Sequence, residues 1–245
     1  MTVPSPEHTA DAAGSDDAAR PDDVAPLEDV VQIRRSMPQA SVERLPGYLR
    51  VLTELSSHGV TSASSQQLAE LAGVGPAQLR KDLSHLGSHG RRGVGYDVDT
   101  LRERVQTALG LVVELPVAIV GAGNLGHALA NYSGFGARGF TVVALLDASP
   151  ALVGTEVAGV VVEDVARLAE VLRDLEVAIV VIATPGDQAQ RVCDVVVGAG
   201  VREILNFAPR ALHVPEGVEL RSVDLGSELQ ILAFHSRERS GRPQG

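Results

Sequence analysis

Apolar positions change their spacing along this chain, and each change marks an element. Residues 1–40 show no apolar period and are rich in Ala, Asp, Pro and Ser, which predicts a disordered acidic tail. From Ser41, an N-cap candidate, Val42, Leu45, Leu49, Leu52 and Leu55 fall on one helical face that Gly59 ends. Pro46 comes early enough for the first turn to tolerate it. A short second helix follows, capped by Ser64 or Ser65, with Leu68, Ala69, Leu71 and Ala72 inward and Gly73 as its stop. After the Val74-Gly75 turn, Pro76 opens a third helix to about Leu86 that buries Leu79, Leu83 and Leu86. Two short helices about a tight glycine turn predict a helix-turn-helix whose second helix does the reading. Gly87 to Tyr96 holds four glycines and two arginines, the composition of a β-hairpin wing. Asp97 or Asp99 then caps a fourth helix through Leu101, Val105 and Leu109.

Beyond Leu115 the pattern becomes short apolar runs alternating with helical periods, the mark of a parallel sheet with crossover helices. The run Pro116 to Val120 leads into Gly121-Ala122-Gly123-Asn124-Leu125-Gly126, and a helix follows. In that context the first glycine allows a tight turn, the second a close approach to a pyrophosphate, and the third close helix–sheet packing. The next strand, Phe140 to Leu146, ends in Asp147 about 20 residues past the last glycine, where a ribose-binding carboxylate belongs. Such an acid repels a 2′-phosphate and favours NAD(H) over NADP(H). Val157–Val162 is a short apolar run, and Asp164–Leu175 reads as a helix. Glu176 to Ala183 fits a central strand that ends at Thr184-Pro185-Gly186 on the ligand-binding sheet edge. Gln188–Ala199 is helical, and Glu203 to Asn206 runs through Phe207 into a second edge loop at Ala208 and Pro209. Val218–Asp224 is a last short strand. Gly226–Arg239 is an amphipathic helix showing Leu229, Ile231, Leu232 and Phe234, which either closes on its own sheet or crosses to a partner subunit.

Charge sharpens this division. Residues 1–40 carry a net −5, residues 41–110 a net +1 and residues 111–245 a net −6. Within residues 75–96, Arg80, Lys81, Arg91 and Arg92 face the single acid Asp82, and Lys81 is the only lysine in the chain. The total of −10 argues against coating nucleic acid by bulk charge, but the basic spot lies on the predicted reading helix and wing. A solvated charge cluster on a helical interaction domain is the bland alternative. One cysteine, Cys193, excludes an intrachain disulfide and a cysteine zinc site, and no metal-spaced cluster exists. No apolar run is long enough for a membrane span, and the acidic N-terminus is unlike a signal peptide, so a cytoplasmic protein without a membrane partner is expected. No Tyr-x-x-x-Lys pair, catalytic histidine arrangement or substrate domain accompanies the nucleotide fold. That predicts a cofactor bound for information and not for turnover.

The strings Leu79-Arg80-Lys81-Asp82-Leu83-Ser84, Arg92-Gly93-Val94-Gly95-Tyr96 and Gly121 to Gly126 together identify a resemblance to Rex, the redox-sensing transcriptional repressors. Asn131-Tyr132 with Gly134-Phe135, Leu205 to Pro209 and Val223-Asp224-Leu225 extend it over Ser41–Ser236. The resemblance implies an α/β chain with an acidic tail (1–40), a winged helix-turn-helix domain (41–110), a Rossmann-like NAD(H)-binding domain (111–225) and a swapped dimerisation helix (226–245). It implies a homodimer that binds a palindromic double-stranded operator when NADH is low and leaves it when NADH binds. Arg80, Lys81, Ser84, Arg92, Gly93, Gly95 and Tyr96 match its DNA-contacting positions. Gly121, Ala122, Gly123, Asn124, Leu125, Gly126, Asp147, Thr184, Pro185, Asn206, Ala208 and Pro209 are the cofactor-binding set, and Arg50, Tyr132 and Asp224 match residues that change contacts in switching. The acidic tail departs from the family pattern, as do His89 and Arg91 in the wing. Two other classes stay open: a nicotinamide-dependent oxidoreductase, and a CoA- or nucleotide-binding regulatory module.

Overall fold

The computed structural model describes residues 37–88, 90 and 94–240, with side chains as far as Ser236. The chain separates into two compact units between Ala108 and Leu109. The acidic segment 1–36 and the wing residues His89, Arg91, Arg92 and Gly93 lie outside the described residues.

The first unit runs α1 (Gln39–Val42), α2 (Leu45–Ser57), β1 (Ser62–Ala63), α3 (Ser65–Ala72), α4 (Pro76–Ser84), β2 (Tyr96–Asp97) and α5 (Val98–Leu109). Ser64 caps α3 with a reciprocal box, its hydroxyl accepting from Gln67 N at 3.2 Å while Gln67 Oε1 accepts from Ser64 N at 2.9 Å. Gly73 ends α3 in the left-handed region (φ 68°), and Pro76 stands at the first position of α4. Leu45, Leu52, Leu79, Leu83, Leu101 and Val105 form a fully buried centre. Two expectations are corrected here, and one pairing is added. Ser41 is not an N-cap: it is buried inside the short α1, with its hydroxyl turned to Asp82. The reading helix stops at Ser84, two residues short of Leu86, because Leu86 N and Ser88 N both fold back onto the Leu83 carbonyl. β2 pairs antiparallel with β1, Ala63 opposite Tyr96, so the base of the wing is built on a strand ahead of α3.

The second unit carries β3 (Leu115–Val120), α6 (Asn124–Ala130), β4 (Phe140–Asp147), β5 (Glu156–Val157), β6 (Val160–Asp164), α7 (Leu168–Asp174), β7 (Ile179–Ile182), α8 (Gly186–Gly198), β8 (Glu203–Asn206), β9 (Glu219–Ser222) and α9 (Leu225–Ser240). Its seven-stranded sheet has the order β5-β6-β4-β3-β7-β8-β9, parallel except for the β5–β6 edge pair. The single apolar run expected over Val157–Val162 is instead two strands. Ala158 (φ 53°) and Gly159 (φ 80°) make a two-residue turn with both φ positive, the geometry that joins antiparallel neighbours. The helix expected from Asp164 begins as a 3₁₀ turn, Val165–Arg167, and becomes α-helical only at Leu168.

Alternation along β3 splits the core between the sheet's two faces. Ala118 and Val120 join Val180, Ile182 and Ile204 under α7 and α8, while Val117 and Ile119 join Leu145 and Val181 on the α6 side. On that second face Ile179, Leu205 and Phe207 remain only partly buried. α9 does not close over them: Leu225, Leu229, Ile231, Leu232 and Phe234 are each 53–66% exposed. Nor is it amphipathic. Leu225, Leu229 and Leu232 make one stripe, and Ile231 and Phe234 stand on the far side at 100° per residue. Among the described residues no helix is long and apolar enough to cross a membrane.

Candidate functional site

β3 and β7 lie side by side at the sheet centre, but one chain half continues outward through β4 and β6 and the other through β8 and β9. A crevice therefore opens between their carboxyl ends, the position where open α/β sheets bind ligands. The glycine loop sits at its mouth. Gly121 (φ 103°) passes so close to β7 that an added Cβ would lie 2.6 Å from the Ala183 carbonyl oxygen. A Cβ on Gly126 would overlap the Gly121 carbonyl oxygen, so the third glycine is required for α6 to pack against its own strand. Gly123 is the opposite case: nothing lies within 4 Å of its Cβ position. That open space, beside the unpaired first N–H groups of α6, is the shape a pyrophosphate needs.

Asp147 closes the floor of the loop. Its Oδ2 accepts from Ala122 N at 2.7 Å and its Oδ1 from Ser149 N at 2.8 Å, which places the carboxylate within one residue of Gly121 and Gly123. At the end of β7 the Thr184 hydroxyl is buried without a hydrogen-bond partner. A buried hydroxyl left unpaired costs stability unless a ligand or water meets it, so this orphan marks a polar binding position. Pro185 is exposed and leads directly into α8. Asn206 is buried and its amide is used up locally: Nδ2 donates to the Ala208 and Arg210 carbonyls at 3.3 and 3.0 Å, and Oδ1 accepts from Ala208 N at 3.0 Å. It shapes the Phe207–Arg210 turn, in which Ala208 is buried against the core and Pro209 is exposed at the edge. Leu125 and Asn124 are exposed at the start of α6, while Ala122 is buried under the loop. The donor set, the open cradle and the orphan hydroxyl fit a dinucleotide.

In the first unit Arg80 and Lys81 stand exposed on α4. Arg80 Nη1 donates to Ser65 Oγ at 3.2 Å, and the exposed Ser84 hydroxyl donates to the Lys81 carbonyl at 2.7 Å. Gly95 (φ 95°) is a backbone requirement, because a Cβ there would strike the Ala63 carbonyl. Tyr96, matched to a DNA-contacting position, is buried with its ring beside Gly90, where it packs the wing base. Arg92 and Gly93 fall outside the described residues.

Asp82 is the residue that sequence reasoning passed over. Entirely buried in α4, its Oδ1 accepts from Ser41 Oγ, Arg44 Nη2 and Gln78 Nε2, each at 2.8 Å, and its Oδ2 from Arg44 Nε and Tyr48 Oη, each at 2.7 Å. Burial alone would push this carboxyl up, but the hydrogen bonds from Arg44, Tyr48, Ser41 and Gln78 hold it well below the usual carboxylate range. Burial first, and then the hydrogen bond to Asp82, push the Tyr48 phenol up to about 12. A signal was available: with Leu79 and Leu83, Asp82 falls on the apolar face of its helix, where an unpaired charge is not tolerated.

The three residues matched to switching occupy separate surroundings. Arg50 is exposed on α2. Tyr132 follows α6, half-exposed, with its ring edge-on to Phe135 at 5.3 Å and its hydroxyl accepting from Arg138 Nη1 at 3.2 Å. Asp224 caps the start of α9: Oδ2 accepts from Ser227 Oγ at 2.7 Å, and Oδ1 accepts from Gly226 N at 2.9 Å and Ser227 N at 3.3 Å. These bonds, Ser227's first, hold its carboxyl below its ordinary value.

Comparison with known proteins agrees with both halves. A family model described as "CoA binding domain" matches residues 114–210, and one described as "Putative DNA-binding protein N-terminus" matches residues 36–84. The chain is 57% identical over 207 residues to the redox-sensing transcriptional repressor Rex of Streptomyces griseus, covering 84% of this chain and 82% of that protein. Among solved structures it is similar to the Rex-family repressor RSP in complex with β-NAD+ and operator DNA, with a TM-score of 0.79 at 36% identity, covering 83% of this chain and 94% of that one. RSP in complex with β-NADH gives a TM-score of 0.75 at 35% identity, covering 84% and 96%.

Proposed function

This chain belongs to the Rex family of redox-sensing transcriptional repressors, and on that premise we propose that it binds a palindromic operator as a homodimer and releases it when NADH binds. The relatives are named as repressors and not as enzymes. The observation that carries the reading is one chain's combination of an open glycine cradle at the sheet's switch point with an exposed reading helix bearing its only lysine.

In this reading the Gly121–Gly126 loop and the α6 amides hold the pyrophosphate, and Asp147 takes the adenosine ribose hydroxyls. Thr184, Pro185, Ala208 and Pro209 line the edge toward the nicotinamide, with Asn206 fixing their loop. When bound, the cofactor supplies the sensed difference: a positive charge on the oxidised ring that the reduced ring lacks. Asp224, at the root of α9, responds to that charge by exchanging partners between Arg50 and Tyr132. A ligand shifts such an equilibrium only by its differential affinity for the two states, so the discriminating contact has to lie near the ring. Arg80, Lys81 and Ser84 face the major groove, and Arg92 with Gly93 reaches the minor groove. Two such heads meet a palindrome about one helical turn apart, roughly 34–36 Å.

Support for the homodimer comes from α9. Its exposed apolar side chains and the partly buried Ile179, Leu205 and Phe207 are the two halves of an unclosed core, which a helix from a second copy would complete. A repressor of this kind works in the cytoplasm, beside its DNA. The test is an electrophoretic shift assay on palindromic DNA with and without NADH. A retarded complex that NADH dissolves and NAD+ leaves intact is expected. Absence of any DNA complex, or turnover of NADH with simple carbonyl substrates, would overturn the reading.

A further inference from the structure

The Asp82 network ties together the helix that reads DNA and the helix that carries Arg50. Its five hydrogen bonds reach one carboxylate from α1 (Ser41), the α1–α2 junction (Arg44), α2 (Tyr48) and α4 itself (Gln78). Around it, α4 is seated by Leu79 and Leu83, both fully buried. Apolar contact of this kind is non-directional and leaves a helix free to roll on its neighbours. A carboxylate gripped by a guanidinium fork and three further donors does not, because each bond falls off steeply with angle and distance.

Rolling matters to the neighbours of Asp82. Arg80 and Lys81 immediately precede it, at 100° per residue, so the direction in which Asp82 points sets the arc on which they stand. A roll of about 20° at a side-chain radius of about 5 Å moves a tip by about 2 Å. That is enough to break a bidentate contact with a base edge. Arg44 and Tyr48 hold the other end of the clamp, and Arg50 lies two residues, about half a turn, beyond Tyr48 on α2.

We propose that Asp82 is the positioning residue of the reading helix, fixing its rotation on α2 so that base discrimination, and not chiefly stability, depends on the carboxylate. The proposal rests on the repressor reading above. Buried ion pairs replaced by apolar groups of similar volume commonly leave stability unchanged or raised, which separates the two roles. The informative protein is therefore the full chain carrying Ser41→Ala, Arg44→Met, Tyr48→Phe and Asp82→Leu together, in which the one donor that loses its acceptor is the part-buried Gln78 amide, which can turn to water.

Fluorescence anisotropy would compare a palindromic duplex, selected by the unmodified protein from random DNA, with a scrambled duplex of equal length. Circular dichroism would give the unfolding midpoint of each variant. The four-fold variant is expected to melt cooperatively near the unmodified temperature, yet its preference for the palindrome should fall about tenfold or more. Its salt dependence should stay the same, since the phosphate contacts are retained. Tyr48→Phe alone leaves the Arg44 fork in place and should keep the preference within about twofold. Full preference in the folded four-fold variant overturns the proposal. Should that variant not fold, Asp82→Asn measured below its own midpoint decides in the same way: loss of preference supports the role, and full preference overturns it. No preference in the unmodified protein would overturn the repressor reading and the clamp together, whereas a preference shown by the unmodified protein and kept in full by the folded four-fold variant overturns the clamp alone.

Discussion

Two aspartates, Asp147 at the end of an apolar strand and Asp82 on the apolar face of a helix, have different uses because of what surrounds them. Asp147 ends β4 half-buried, with its oxygens on the amides of Ala122 and Ser149, so it braces the glycine loop, and in the proposed reading it takes the ribose hydroxyls. NADH should therefore bind much better than NADPH, and Asp147→Arg should narrow or reverse the preference by pairing a guanidinium with the 2′-phosphate. Calorimetry with both nucleotides checks this, and equal affinities in the unmodified protein would remove the role. Asp82 shapes stability against pH. Its folded pKa lies below the unfolded value of about 3.9, so its contribution is complete above that pH and is lost as pH falls through the folded value. Tyr48 has the reverse sign: its pKa is pushed up to about 12, so its contribution is complete below the ordinary phenol value and is lost as pH rises toward 12. Urea midpoints should fall at both extremes, and Tyr48→Phe should flatten the alkaline limb while shifting the acid limb toward higher pH, because Asp82 loses one of the bonds that hold it low.

The glycine loop is one element with two kinds of glycine. Gly126 is held by its own fold, since a Cβ would overlap the Gly121 carbonyl, whereas Gly123 has open space where a side chain would go. Gly126→Ala should therefore lower stability and NADH affinity together. Gly123→Ala should leave the melting temperature within about a degree or two while filling the phosphate cradle and weakening NADH at least tenfold. Thermal melts paired with NADH titrations separate the two, and equal effects on both readouts in Gly123→Ala would contradict the assignment. At this scale the helices were legible from spacing alone: the Ser64 cap, the Gly73 stop and the Pro76 start act through local sterics and hydrogen bonds. The β5–β6 hairpin was not, because one apolar run reads the same whether or not Ala158-Gly159 folds it back on itself.

At the level of the whole molecule, the switch has to connect ring chemistry in the second unit with DNA reading in the first. Asp224 sits at the root of α9, its carboxylate bound among the described residues to Ser227 and Gly226, local contacts that a competing cation or phenol can replace. Asp224→Ala should keep the fold and NADH affinity but lose much of the NADH-driven release from operator DNA. Operator affinity with and without saturating NADH is the measurement, and an undiminished NADH response would place the switch elsewhere. α9 bears on the same question, since apolar residues on two sides suit a helix surrounded by protein.

Local rules in the sequence were enough to determine the helix-turn-helix, the alternation of strands and helices and the Gly121–Gly126 turn with Asp147 after it. Each depends on neighbours within a few residues or on a repeating period, and both are written along the chain. Tertiary structure alone decided that Ser41, Arg44, Tyr48 and Gln78 converge on Asp82, that Tyr96 turns inward, that Asn206 is spent on its own loop and that α9 finds no cover on its own sheet. These outcomes depend on which residues far apart in sequence arrive at the same place. A buried charge, unlike an apolar side chain, has to find directional partners there, and spacing along the chain does not specify them.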